Sequence, residues 1–138
     1  MPVRQPDQLD VDTAVLAAET DLWAAAPTRA IYDGRALADW VPVVTRRIFD
    51  RCNAKRIVVF GSVARGDDGP NSDIDLVVVL DHVSNSHDDA VRVLTELRDL
   101  PVPVDVIVTD ETRLATQAKT PGVVRVALRE GKVIERAA

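Results

Sequence analysis

Four residues near the middle of the chain have the types and spacing for phosphate chemistry. Asp73 and Asp75 lie two residues apart at the mouth of the apolar run Leu76 to Leu80. Side chains at i and i+2 share one face of a strand, so both acids point the same way. Two like charges held that close repel one another, and a cation between them removes the conflict. Oxygen ligands with open positions suit Mg²⁺ holding substrate phosphates. Gly61 and Ser62 directly follow a second apolar run, Ile57 to Phe60. Gly61 lets the backbone come close to a bulky anion, because it has no Cβ. Ser62 adds a hydroxyl and a backbone N–H, and Ser62 to Arg65 reads as a short helix with free N–H groups at its start. The stretch Ile57–Leu80 therefore predicts two neighbouring strands, a phosphate cradle and a two-carboxylate metal site.

The remaining elements must hold these groups in place. Leu37, Val41, Val44, Ile48 and Cys52 repeat at helical spacing, with Pro42 as either the start of that helix or a kink in it. Ser86 is a candidate cap for a helix from about His87 to Leu100, with Ala90, Val91, Leu94 and Leu97 on its buried face. Pro101 and Pro103 stop it. Val104 to Thr109 reads as a third strand that looks fully buried, yet it carries Asp105. A buried carboxylate without a partner is costly. Either a core arginine or a shared metal site answers that cost, and the first two acids favour the metal. Asp110 caps a helix over Glu111 to Ala118. A last helix ends near Glu130, Gly131 closes it, and Lys132 to Glu135 make a final short strand. A few strands with helices packed on one side predict an α+β or open α/β domain.

The first part of the chain reads differently. Met1 to Asp10 is polar. Asp12 or Thr13 is a candidate cap for a helix reaching about Ala26, with Val15, Leu16, Leu22 and Trp23 as its stripe. Thr28 to Arg35 is a loop or short strand with a turn at Asp33-Gly34. The expected division is an arm over residues 1–35 and a domain over residues 36–138.

Composition narrows the function. The 138 residues carry a formal net charge of −5. Nucleic-acid affinity rests on cations opposite phosphates, so the balance argues against a nucleic acid as partner, while a metal can carry the charge of a small nucleotide. The single cysteine, Cys52, excludes an internal disulfide and suggests a buried helix face. His82 and His87 are too few for a zinc site and read as solvated. No apolar run approaches a membrane span or a signal peptide, so a cytoplasmic protein is expected.

A lone Asp-x-Asp is most often a solvated turn. Gly61-Ser62, then ten residues, then Asp73-x-Asp75, each beside a strand, is far more specific. It resembles the signature of the nucleotidyltransferase superfamily related to DNA polymerase beta. The continuation Ser62-Val63-Ala64-Arg65-Gly66 and the tail Ala127 to Glu135 look like its minimal nucleotidyltransferase branch, over about Leu37 to Glu135. The resemblance implies a mixed sheet, with Asp105 as the third carboxylate beside Asp73 and Asp75. It implies Mg²⁺, in a two-metal site, and ATP as substrate. Gly61, Ser62, Arg65 and Ser72 would bind the nucleotide, though Arg65 reads equally well as a surface charge. Members of this branch are typically paired with a helical toxin of the HEPN class, and some transfer AMP to a tyrosine of that toxin. The resemblance thus implies an antitoxin acting as an adenylyltransferase. A binding-only antitoxin and a small-molecule nucleotidyltransferase are the alternatives. The latter usually needs an added helical domain, for which this chain has no room.

Overall fold

The computed structural model describes Arg29 to Arg136 in full. It also describes the backbone of two strands near the N-terminus, β1 (Arg4–Pro6) and β2 (Leu9–Ala14), which pair antiparallel. Asp12 and Thr13 therefore lie in a strand and not at a helix N-terminus. Leu9, Val11 and Thr13 alternate with acids and Ala14, the period of a strand and not of a helix. The rest of the helix expected up to Ala26 lies outside the described residues.

A tight hairpin follows, β3 (Ile31–Tyr32) and β4 (Arg35–Ala36). Its two turn residues, Asp33 and Gly34, both have positive φ, 50° and 75°. That is the pattern that two-residue hairpin loops require. Helix α1 spans Leu37–Arg51 and runs through Pro42. Proline there lacks the N–H that would reach the carbonyl four residues back, so the helix has one bond fewer. Its buried side is Leu37, Trp40, Val44, Thr45 and Ile48. Val41 is partly buried against the same core, and Trp40 beside it is buried, its indole N–H donating to the Tyr32 carbonyl at 2.9 Å.

The remaining elements are β5 (Ala54–Phe60), α2 (Gly61–Arg65), β6 (Ile74–Leu80), α3 (Ser86–Thr95), β7 (Val104–Thr109), α4 (Glu111–Gln117), α5 (Val123–Glu130) and β8 (Lys132–Glu135). Four strands form one mixed sheet in the order β7-β6-β5-β8. β5 is antiparallel to β6 and β8, and β6 is parallel to β7. This is an α+β architecture, with helices on a small mixed sheet.

Alternation along the strands builds two cores. Ile57, Val59, Leu76, Val78, Val106 and Val108 face the cluster containing Leu37, Val44 and Ile48 of α1 and Val93 of α3. Val58 and Val77 face the other way, onto Ala127 of α5. Helices thus cover both faces, not one. α5 comes close because Gly131 follows it. A Cβ at Gly131 would lie 2.6 Å from Val58 Cγ1 and 2.5 Å from the Ala127 carbonyl oxygen. Its φ of −83° is ordinary, so space and not conformation requires glycine here.

Helix α3 is shorter than the spacing suggests, and it is capped by Asn85, whose side chain accepts the Asp88 N–H. Its buried residues are Asp89 and Val93, with Leu97 beyond its end. Val91 and Leu94 are exposed, so the expected buried face is rotated. Asp110 caps α4 as expected, and its second oxygen accepts the Val83 N–H at 3.0 Å. Cys52 is half-buried at the end of α1, and burial pushes its thiol pKa up. Among the described residues no helix is long and apolar enough to cross a membrane.

Candidate active site

Three strand ends converge at one edge of the sheet. Antiparallel pairing sets Asp75 opposite Phe60, the last residue of β5, so Gly61 falls beside the acid. Parallel pairing sets Asp105 level with Asp75 on the neighbouring strand. Adjacent strands lie about 4.8 Å apart, and residues in register project to the same side. Asp73 precedes β6 by one residue and shares the Asp75 side. One carboxylate oxygen from each of Asp73, Asp75 and Asp105 lies within 4.8 Å of the others.

Crowding of charge is visible in Asp75. Its carboxyl pKa is pushed up to about 6, first by burial and then by the charges of Asp73 and Asp105. A hydrogen bond with Asp73 adds to this, and Arg65 opposes it. Asp105 itself is exposed. The desolvation cost that seemed to demand a partner for it is therefore absent. β7 is an edge strand, and its second residue, Asp105, is open to solvent. What joins Asp105 to the other acids is strand register.

Gly61 has φ 78°, where only glycine is unstrained. A Cβ there would lie 2.1 Å from Asp75 Oδ2. The missing side chain is thus the space that the Asp75 carboxylate occupies. Ser62 lies in the first turn of α2, half-buried, and its carbonyl accepts the Asp67 N–H at 3.0 Å. Gly66, with φ 81°, ends that helix in the left-handed conformation. Arg65 is half exposed and pairs with Asp67 at 3.2 Å and Glu130 at 3.7 Å. Ser72 uses its hydroxyl within the loop, accepting the Gly69 N–H at 2.8 Å. A groove of about 580 Å³ between α1 and β8, lined by Val41, Phe49 and Ile134, contains none of the three acids.

The family model for the nucleotidyltransferase domain matches residues 44–134, more than half of the 138. The chain belongs to the nucleotidyltransferase domain family. The match takes in Gly61, Ser62, Arg65, Ser72 and all three acids. Among solved structures, a candidate nucleotidyltransferase from Sulfolobus solfataricus is 26% identical, with a TM-score of 0.46. The likeness covers 58% of this chain and 72% of that one. No curated protein matches.

The nucleotidyltransferase acids fit a divalent cation on their own chemistry. All three donors are hard carboxylate oxygens within reach of one ion. Burial first, and then the charges of Asp73 and Asp105, raise the pKa of Asp75, and a bound cation would offset both. The sequence carries no signal for two residues, Asp68 and Tyr32, that bond within or onto the loop leading to Asp73. Asp68 is buried in an irregular loop and Tyr32 lies in a two-residue strand, and neither position leaves a periodic signal.

Proposed function

We propose that this nucleotidyltransferase moves AMP from ATP to a hydroxyl, in a Mg²⁺-dependent reaction. The observation that carries the reading is the meeting of Asp73, Asp75 and Asp105 beside Gly61. Asp73 and Asp75 would hold the metal, with Asp105 shared toward a second ion. Bound there, Mg²⁺ would neutralise phosphate charge and favour in-line displacement. Gly61 leaves room for the triphosphate, and Ser62 offers it a hydroxyl and an N–H. Arg65, partly engaged by Asp67 and Glu130, would steady the phosphates as a planar donor. The acceptor oxygen forms a bond to the α-phosphorus, the bond to the β-phosphate bridging oxygen breaks, and pyrophosphate leaves. The acceptor proton passes to the Asp105 carboxylate, which its exposure leaves open to an incoming group.

The acceptor in this reading is a tyrosine of a HEPN-type toxin in the cytoplasm, and the protein acts as its antitoxin. Its support is the likeness of Ser62 to Gly66 and of Ala127 to Glu135 to minimal nucleotidyltransferases. Incubation of a co-purified HEPN-type partner with Mg²⁺-ATP, followed by intact-mass measurement, tests it. The partner should gain one AMP with the parent protein. With Asp105→Asn nucleotide binding should persist and transfer should fall by about a hundred- to ten-thousand-fold. No added mass with either protein, together with equal silencing of the partner, would replace transfer by steric inhibition.

A further inference from the structure

The chain from Gly66 to Ser72 carries α2 across to the first site acid without any helix or strand. It is closed internally. The Ser72 N–H donates to the Gly69 carbonyl at 3.0 Å, and the Gly69 N–H donates to Ser72 Oγ at 2.8 Å. Those bonds give the loop a shape but no fixed place against the sheet.

Its place comes from residues nearly forty positions earlier. Asp68 is 1% exposed. It accepts the Arg29 Nε–H at 2.9 Å and the Ala30 N–H at 3.1 Å. A second guanidinium nitrogen of Arg29 lies 2.5 Å from the same carboxylate. Ala30 is fully buried, and its carbonyl accepts the Leu37 N–H at 2.9 Å, which roots this contact on the first residue of α1. The Tyr32 hydroxyl donates to the Ser72 carbonyl at 2.8 Å, one peptide away from Asp73. The Tyr32 carbonyl in turn accepts from Trp40. Asp68 is buried while its Arg29 partner is half exposed, and burying a carboxylate in a loop whose only duty is connection would be a cost without a return. These bonds converge on the segment that ends at a site acid.

We infer that Asp68 and Tyr32 are positioning residues for the acid triad, holding the loop so that Asp73 stays within reach of Asp75 and Asp105. The inference rests on the nucleotidyltransferase reading of the triad, and metal affinity reads it without catalysis. A merely structural bond would alter melting temperature and leave the metal affinity of the folded protein unchanged. The probe is Mn²⁺ alone, titrated into the full chain with free ion counted by electron paramagnetic resonance, well below the melting temperature. Tyr32→Phe removes one hydroxyl and should weaken Mn²⁺ binding about three- to tenfold, the worth of one hydrogen bond. Asp68→Asn keeps the shape, loses the ion pair, and should weaken it about tenfold or more. Arg29→Lys, which keeps the charge, should fall between Asp68→Asn and the parent. Asp73→Asn serves as the variant that loses the ion directly.

Parent-like Mn²⁺ affinity in both Tyr32→Phe and Asp68→Asn would overturn the inference and leave the proposed function standing. Weakened affinity in both, in a protein that transfers no nucleotide, would uphold the positioning role and remove the function. A parent that binds no Mn²⁺ would remove both.

Discussion

Gly61→Ala is the smallest change that strikes the candidate site, and its consequences can be worked from the geometry. The new Cβ would sit 2.1 Å from Asp75 Oδ2, 3.1 Å from its Cγ and 3.3 Å from its Cβ. The closest of these atoms is the far end of a side chain, so the carboxylate turns aside and the strand keeps its place. Turning it breaks the convergence with Asp73 and Asp105. The backbone adds a separate penalty, since φ 78° costs alanine about 1 to 2 kcal/mol. Partly offsetting this, a displaced Asp75 no longer repels its neighbours. The net loss of stability should be about 1 kcal/mol, a fall of several degrees in melting temperature for a chain of this size.

Metal affinity should suffer far more. Even partners of metal ligands cost about 10- to 100-fold when lost, so displacing a ligand should cost at least about 100-fold. Isothermal titration with Mn²⁺ measures that, and thermal melts measure the stability term. The two effects separate in an Asp75→Ala background. There the carboxylate is already gone, and Gly61→Ala should cost only its backbone strain. A Gly61→Ala protein that binds Mn²⁺ like the parent would refute the steric link between the glycine and the acid.

Three further outcomes follow from the packing and the charges. In the metal-free protein Asp75 holds its proton more tightly folded than unfolded, where an aspartate titrates near 4. The stability this gives is full below about pH 4 and is lost as pH rises through about 6. The ceiling is about 3 kcal/mol, which solvent screening at this half-buried site reduces to about 1 to 2. Asp75→Asn should therefore gain stability over the parent between pH 4 and 7 in chemical denaturation with chelator present, and a constant difference across that range would contradict the raised pKa of Asp75. Gly131→Ala should lose about 1 to 3 kcal/mol in urea melts, because its Cβ overlaps Val58 and two backbone oxygens, while Mn²⁺ affinity stays at the parent level. Removing residues 1–35 takes away buried Ala30 together with Asp68's partners and should leave a poorly folded protein by circular dichroism, whereas removing residues 1–28 should not; we propose a domain boundary near Arg29 on that ground.

The site's components were more legible in the sequence than the contacts that hold them. Gly61-Ser62 and Asp73-x-Asp75 stand beside strongly β-branched runs, and period-two alternation then dictates that the two acids share a side. The strands from Ile57, Leu76 and Val104 were legible for the same reason, since buried valines leave few other readings. Helix faces were harder. In α3 the apolar spacing of Ala90, Val91, Leu94 and Leu97 suggested one buried side; Ala90 and Leu97 do pack on the core, but Val91 and Leu94 are exposed and Asp89 and Val93 are buried instead. A short helix with scattered apolar residues has several near-equal faces, and tertiary packing chooses among them. Val41 packs against the core as the spacing suggested, but Trp40 is more deeply buried beside it and bonds the Tyr32 carbonyl, a partner eight residues earlier that no periodicity reveals.

Asp105 carries the most instructive difference. Its strand sequence suggested a buried charge in need of a counter-ion, and it is exposed. The two half-buried acids, Asp73 and Asp75, lie on or beside a central strand and are held from several sides: Gly61 closes against Asp75, and the loop bonds of Ser72 approach Asp73. Asp105 lies on the edge strand and is fixed by register alone. A carboxylate placed so meets solvent, and therefore any acceptor that arrives from solvent, before the other two do. The gradient of exposure across the triad thus matches a division of labour, with the enclosed pair suited to holding an ion and the open member suited to taking a proton. Under that division, loss of Asp105 should cost turnover more than affinity, and loss of Asp75 should cost affinity first.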